Sequence, residues 1–200
     1  TVDEVMAARK VSWPLTLPMC SPISDGAAAA ILCREEELDR FDRSRAVKIH
    51  ATALRTGSDR DPQEFDRHIT HLAARDAYAR AGLGPEDMHV AEVHDATAFA
   101  EIQQVENLGF CDFGEGGAPT ESGATSIGGR IPVNLSGGLE SKGHPVGATG
   151  LAQVFELTTQ LRGEAGARQV ANAKFAIAEN GGGFHGIEEA VACVTILGRT

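Results

Sequence analysis

Apolar positions along the chain fall into short alternating runs and longer runs of helical spacing, and the two kinds alternate. Residues 47–54, Val-Lys-Ile-His-Ala-Thr-Ala-Leu, are rich in β-branched side chains with rough alternation and predict a strand. From Ile69, apolar residues at Leu72, Ala73, Ala77 and Ala81 predict an amphipathic helix, closed by Gly82 and Gly84-Pro85 as a C-cap signal. Residues 90–93 read as a short strand ending at His94-Asp95, and residues 97–108 as a helix stopping at Gly109. Residues 149–161 predict a strong helix, and residues 175–178 and 190–197 predict strands on either side of Gly181-Gly182-Gly183. Strand and helix in this order predict an α/β fold.

The remaining segments are less regular. Residues 1–20 are polar and then contain Pro14 and Pro18, which suits a connecting loop. Residues 27–33 form an apolar run that fits either a buried strand or a tightly packed small-residue helix. Residues 34–43 are highly charged and predict a surface turn or short helix, and residues 59–65 a polar loop. Residues 113–129 are glycine-rich, either a flexible low-complexity stretch or an ordered active-site loop. No repeat of 20–50 residues is visible.

Composition narrows the function classes. A chain of 200 residues with 42% hydrophobic and 23% charged positions is long enough for a sizeable core and has an ordinary globular balance. A net charge of −10 without a basic run argues against nucleic-acid or anionic-membrane binding, although a local pocket can still oppose the global charge. No stretch approaches the 18 apolar residues of a membrane span. Cys20, Cys33, Cys111 and Cys193 form no C-x-x-C pair, so neither a zinc site nor a dithiol motif is suggested. They read as reduced, buried, small hydrophobes. The start at Thr1, without a secretory pattern, and the end at Gly198-Arg199-Thr200, which is no peroxisomal address, lead to the expectation of a cytoplasmic polypeptide that is truncated or processed.

The densest chemistry lies in Asn134-Leu135-Ser136-Gly137-Gly138-Leu139-Glu140-Ser141-Lys142-Gly143-His144-Pro145-Val146-Gly147-Ala148-Thr149-Gly150. Its five glycines allow close backbone approach, and the helix that follows offers unpaired N–H groups to an anion or a developing oxyanion. His144 is confined between Gly143 and Pro145, and an ordinary imidazole is suited to proton transfer near neutrality. Such a histidine is either an active-site group or a structural one. His94-Asp95 stands where a strand hands over to a helix, the place where an open α/β sheet presents its ligand crevice. A buried, satisfied histidine is the alternative there. In Glu179-Asn180-Gly181-Gly182-Gly183, three glycines after a strand predict a tight turn with bare N–H groups. Glu179 is either a base raised by burial or a structural carboxylate capping the turn. His185 reads as a surface histidine.

The long run resembles the N-x-x-G-G-x-x-x-x-G-H-P-x-G-A-T-G signature of thiolases. Ser136-Gly137-Gly138-Leu139 and Ser141-Lys142-Gly143-His144-Pro145 are closest to the sterol-carrier-protein-x type branch, as are Gln160-Leu161-Arg162-Gly163-Glu164-Ala165-Gly166 and Ser24-Asp25-Gly26-Ala27-Ala28-Ala29. The resemblance covers nearly the whole chain. It implies the C-terminal half of a layered α-β-α-β-α thiolase fold, with residues 1–43 as the end of the N-terminal domain and connecting segment and residues 44–200 as the C-terminal domain. A half of this kind is expected to bury its sheet on one side only and to need the other half, or another chain, over the rest.

The resemblance also implies roles. His144 activates a cysteine thiol that takes an acyl group from coenzyme A, and none of the four cysteines sits in the matching motif, so the nucleophile is expected outside this chain. Glu92-Val93-His94-Asp95-Ala96 resembles the His-Asp-Cys-Phe motif, in which His94 would help form an oxyanion hole; the motif's cysteine is Ala96 here. Glu179 stands near the acid/base cysteine of the C-x-G-G-G motif. His144, His94 and Glu179 are thus the expected catalytic residues, with Asn134, Ser136, Gly137, Gly138, Gly182 and Gly183 binding substrate or CoA. The implied activity is that of an acyl-CoA acyltransferase in fatty-acid or sterol side-chain metabolism, with no metal, no covalent cofactor and a CoA thioester as substrate. A retro-aldol lyase on a CoA-linked side chain and a non-catalytic acyl-CoA or lipid carrier are the alternatives. The expected assembly is a homo-oligomer, dimer or tetramer, or a complex with a second chain supplying the other half.

Overall fold

The computed structural model describes residues 1–199. Thr200, on which the expected second domain ends, lies outside the described residues. The first 20 residues are more ordered than a connecting loop. Helix α1 (Val2–Ala7) is started by Thr1, which forms a reciprocal capping box with Glu4. A small antiparallel pair, β1 (Lys10–Ser12) and β2 (Leu15–Thr16), follows.

The apolar run at residues 27–33 is neither a buried strand nor a helix. It has no regular structure: Ala27 and Ala28 lie beside Pro145–Ala148, while Ile31, Leu32 and Cys33 beyond them are exposed. The charged stretch after it forms a 3₁₀ turn over Glu35–Arg40, as expected for a surface turn. The cysteines depart from the buried reading as well: Cys33 is exposed and the other three are half-buried.

The body of the chain is a four-stranded sheet of β3 (Val47–Thr56), β4 (Val90–Glu92), β5 (Phe175–Gly182) and β6 (Val191–Arg199), in the order β3-β6-β5-β4. The β3–β6 and β6–β5 pairs are antiparallel and β5–β4 is parallel. Helices α2 (Ile69–Ala81), α3 (Ala98–Asn107), α4 (Gly117–Glu121), α5 (Gly138–Lys142) and α6 (Thr149–Arg162) complete the fold. The glycine-rich stretch at 113–129 is ordered around α4 and pinned by Gly116 N–H donating to Glu106 Oε1 at 2.9 Å.

Two apolar clusters lie on the two faces of the sheet. On one, the small side chains Ala73, Ala74 and Ala77 let α2 approach Ala51, Ala53, Val194 and Ile196 closely, with Val105 and Leu108 of the α3 end beside them. On the other, Leu157 and Leu161 of α6 pack on Val90, Ala176, Ala178 and Leu197. The sheet is therefore covered on both sides over β4 and β5, not on one side only. Toward the Leu54–Cys193 end of β3 and β6 the second face is open, and Leu54 is 61% exposed there. Gly82 ends α2 in the left-handed conformation, as its position predicts, and Gly163 ends α6 in the same way. Among the described residues no helix is long and apolar enough to cross a membrane.

Candidate active site

The parallel β4–β5 pair directs two strand ends the same way. Glu92 is in register with Ala178, so continuing two residues beyond brings His94 beside Asn180. The Asn180 side-chain nitrogen lies 3.0 Å from His94 Nδ1 and 3.0 Å from Gln153 Oε1, and Gln153 Nε2 donates to the Glu179 carbonyl at 2.8 Å. Thr97 then caps α3 by accepting the Ala100 N–H at 3.1 Å.

The loop carrying His144 is held by residues of this same strand end. Asn134, at φ 53°, accepts the Val93 N–H at 2.8 Å and donates to Glu101 at 2.8 Å. Ser136 gives its N–H and its hydroxyl to the two oxygens of buried Glu92, at 3.0 and 2.6 Å, while Lys142 donates to Ser136 Oγ at 2.6 Å. Gly137 and Gly138 take φ of 98° and 58°, which starts α5 beneath Asp95. Asp95 accepts the N–H groups of Leu139 at 2.7 Å and Glu140 at 3.4 Å. The side chains of Asn134 and Ser136 are thus directed into the scaffold, and the glycines shape its turn.

His144 follows α5 and is gripped by the extended segment at 22–24, its N–H donating to Pro22 O at 2.9 Å. Its Nδ1 lies 2.7 Å from Thr149 Oγ1. Thr149 directs its hydroxyl proton to Pro145 O at 3.1 Å, so its oxygen accepts from His144 Nδ1–H and the lone pair of Nε2 is left free. The structure brings His94 and His144, fifty positions apart, edge to face with ring centroids 4.9 Å apart. Burial, and then the neighbouring His144, lowers His94 to about 4, and burial lowers His144 as well. Burial thus favours the neutral form of both rings.

Glu179 lies elsewhere. It shares the face of β5 with Ile177, opposite Asn180, and is completely buried. One carboxylate oxygen accepts the His94 N–H at 3.0 Å and the other has no partner. Burial raises it to about 8. Burial likewise raises Asp95 to about 6 and Glu140 to about 7. The expected tight turn also shifts. Gly181 and Gly182 are paired in the ladder with Ala192 and Val191, and the chain turns only at Gly183, at φ 68°. His185 is on the surface, 3.3 Å from Asp59. Glu188, in the same loop, is buried against Arg60 at 2.7 Å. Among the described residues no group of three or more His, Cys, Asp or Glu is arranged to hold a metal ion.

Asn180, Gln153 and Thr149 are the site residues that the sequence reading passed over. For Asn180 a signal was present. Period-2 alternation carried through the glycines places it on the α6 face and Glu179 on the other.

Comparison with known proteins identifies the family of the chain. The family described as thiolase C-terminal domain-like matches residues 51–199. An acetyl-CoA acetyltransferase of Methanothermobacter thermautotrophicus is 48% identical over the whole of this chain and 51% of its own length. A sterol carrier protein 2 of Rattus norvegicus is 45% identical over 90% of this chain and 34% of its own. The chain spans between about a third and about half the length of these relatives. The solved structure of an Ltp2-ChsH2(DUF35) aldolase shares the fold, with a TM-score of 0.76 at 22% identity over the whole of this chain and 51% of that one. On the match over residues 51–199, this chain belongs to the thiolase C-terminal domain-like family.

Proposed function

We propose that the chain supplies the two-histidine part of an acyl-CoA acyltransferase site of the thiolase type, and that a cysteine from a segment outside residues 1–199 completes it. The observation that carries the reading is the pair of neutral imidazoles at 4.9 Å, one with a free Nε2 lone pair and one beside a strand end. His144 Nε2 takes the proton of the thiol, and the thiolate attacks the 3-keto carbon of a 3-ketoacyl-CoA. His94 donates a hydrogen bond to the carbonyl oxygen as it becomes an oxyanion. Collapse breaks the C2–C3 bond, and the imidazolium of His144 returns its proton to the leaving enolate. The acyl group then passes to a second CoA thiol. Glu179 holds the His94 backbone N–H from the opposite face of β5.

Thiolysis of 3-ketoacyl-CoA by the intact protein tests this. Removing the base, His144→Ala, is expected to lower kcat about 10²- to 10⁴-fold. Removing the oxyanion donor, His94→Ala, should cost about 10²- to 10³-fold. Unchanged rates in both variants would sink the proposal. Cleavage of a β-hydroxyacyl-CoA with no dependence on any cysteine would replace it with lyase chemistry.

A further inference from the structure

We propose that Gln153 and Asn180 are positioning residues that lock His94 as the tautomer with its proton on Nε2, the hydrogen-bond donor the oxyanion requires. The argument is a chain of forced orientations. The Glu179 carbonyl can only accept, so the Gln153 group 2.8 Å from it is the amide nitrogen. Gln153 is fully buried, which excludes water as a substitute partner for that carbonyl. Its oxygen must then face Asn180, and only the Asn180 nitrogen can meet it at 3.0 Å. That nitrogen has two hydrogens. One goes to Gln153, and the other points to His94 Nδ1 at 3.0 Å. A ring nitrogen that accepts has no proton, so the single proton of the neutral imidazole resides on Nε2.

The opposite arrangement is blocked. Turning the Asn180 amide over to accept from an Nδ1–H would set its oxygen against the Gln153 oxygen, two acceptors at 3.0 Å with no proton between them. The relay begins on a main-chain carbonyl of β5, crosses α6 and returns to β5 at Asn180, so strand register and helix packing together set the protonation of His94. Thr149 enforces the reverse tautomer on His144. Two histidines in contact are thereby given complementary roles, a donor and a base, by their outer hydrogen bonds alone.

The tautomer follows from the hydrogen bonds; its catalytic consequence rests on the thioester reading above. Imidazole ¹⁵N solid-state NMR of the intact, ¹⁵N-histidine-labelled protein tests both, with His94 signals assigned by their loss in His94→Gln. The wild type is expected to show a protonated Nε2 and bare Nδ1 at neutral pH. An Nδ1–H signal from wild-type His94 overturns the proposal without any variant. Asn180→Asp replaces the donor by an acceptor and should move the proton to Nδ1. Gln153→Leu frees the Asn180 amide and should give a mixture of tautomers. An unchanged spectrum in a folded Asn180→Asp protein overturns the relay. In thiolysis, Asn180→Asp should lower kcat about 10²- to 10³-fold, the cost of a lost oxyanion donor, with KM little changed. A switched tautomer with kcat untouched overturns the positioning role. A wild type inactive on thioesters is the failure of the functional reading, and the NMR result stands apart from it.

Discussion

Gly138 is the most exacting position in the loop that carries His144. Its φ is 58°, and a Cβ added there would lie 2.0 Å from Asp95 Oδ2 and 2.7 Å from Cγ. A left-handed conformation costs an L-residue about 1–2 kcal/mol. The contact cannot be relieved by a small adjustment, since Asp95 is buried and accepts two backbone N–H groups. Moving it aside sacrifices at least the shorter of those bonds, a charged one worth about 1.5–3 kcal/mol. Gly138→Ala should therefore destabilise the intact protein by about 2.5–5 kcal/mol, a large share of the roughly 5–15 kcal/mol that holds a folded domain together. Gly147→Ala is the matched control in the same loop: nothing lies within 4 Å of its Cβ and its φ is not positive. It should change stability by no more than about 0.5 kcal/mol. Urea unfolding of the wild type and both variants under identical conditions measures the contrast. Equal midpoints for Gly138→Ala and Gly147→Ala would refute the reasoning.

Three further outcomes are expected. Leu157→Ala, at a completely buried position between α6 and the sheet, should cost about 2–5 kcal/mol in chemical denaturation, and a loss below 1 would mean that α6 does not anchor that face. Arg60→Ala removes the ion-pair partner of the buried Glu188 carboxylate, which keeps hydrogen bonds from Ser58 and the Ile69 N–H, and should cost about 1.5–3 kcal/mol, with Arg60 and Glu188 changed together costing less than the two losses added. Glu179 has a folded pKa of about 8, raised above its unfolded value of roughly 4.3, so it favours folding most at low pH and loses that contribution as pH rises between the two. Glu179→Gln should accordingly flatten the fall in stability between pH 5 and pH 8; parallel curves for variant and wild type would contradict a buried, protonated Glu179.

Much of the candidate site is local, and local features are legible in a chain. Gly82 announces a helix end because only glycine takes the left-handed cap without strain. His144 is set in a run whose glycines and following helix mark it out before any contact is known. His94 stands at a strand-to-helix joint that alternation and spacing identify. The extent of β5 was misread for a physical reason. Three glycines usually signal a turn, yet pairing with Ala192 and Val191 carries the strand through Gly182. Side chains alternate across a strand, so the added pairs put Asn180 on the face toward α6 and Glu179 on the other.

Sequence alone determined the alternation of strands and helices, the glycine-shaped loop, and the two histidines as candidates for chemistry. Tertiary structure decided how they are held. Parallel register put Asn180 against His94, packing of α6 put Gln153 against both, and Asp95 tied the loop of His144 to the strand end of His94. Burial, which no single position encodes, set the charge of His94 and Glu179. Hydrogen-bond direction and desolvation depend on partners distant in sequence, and those partners exist only once the sheet has formed.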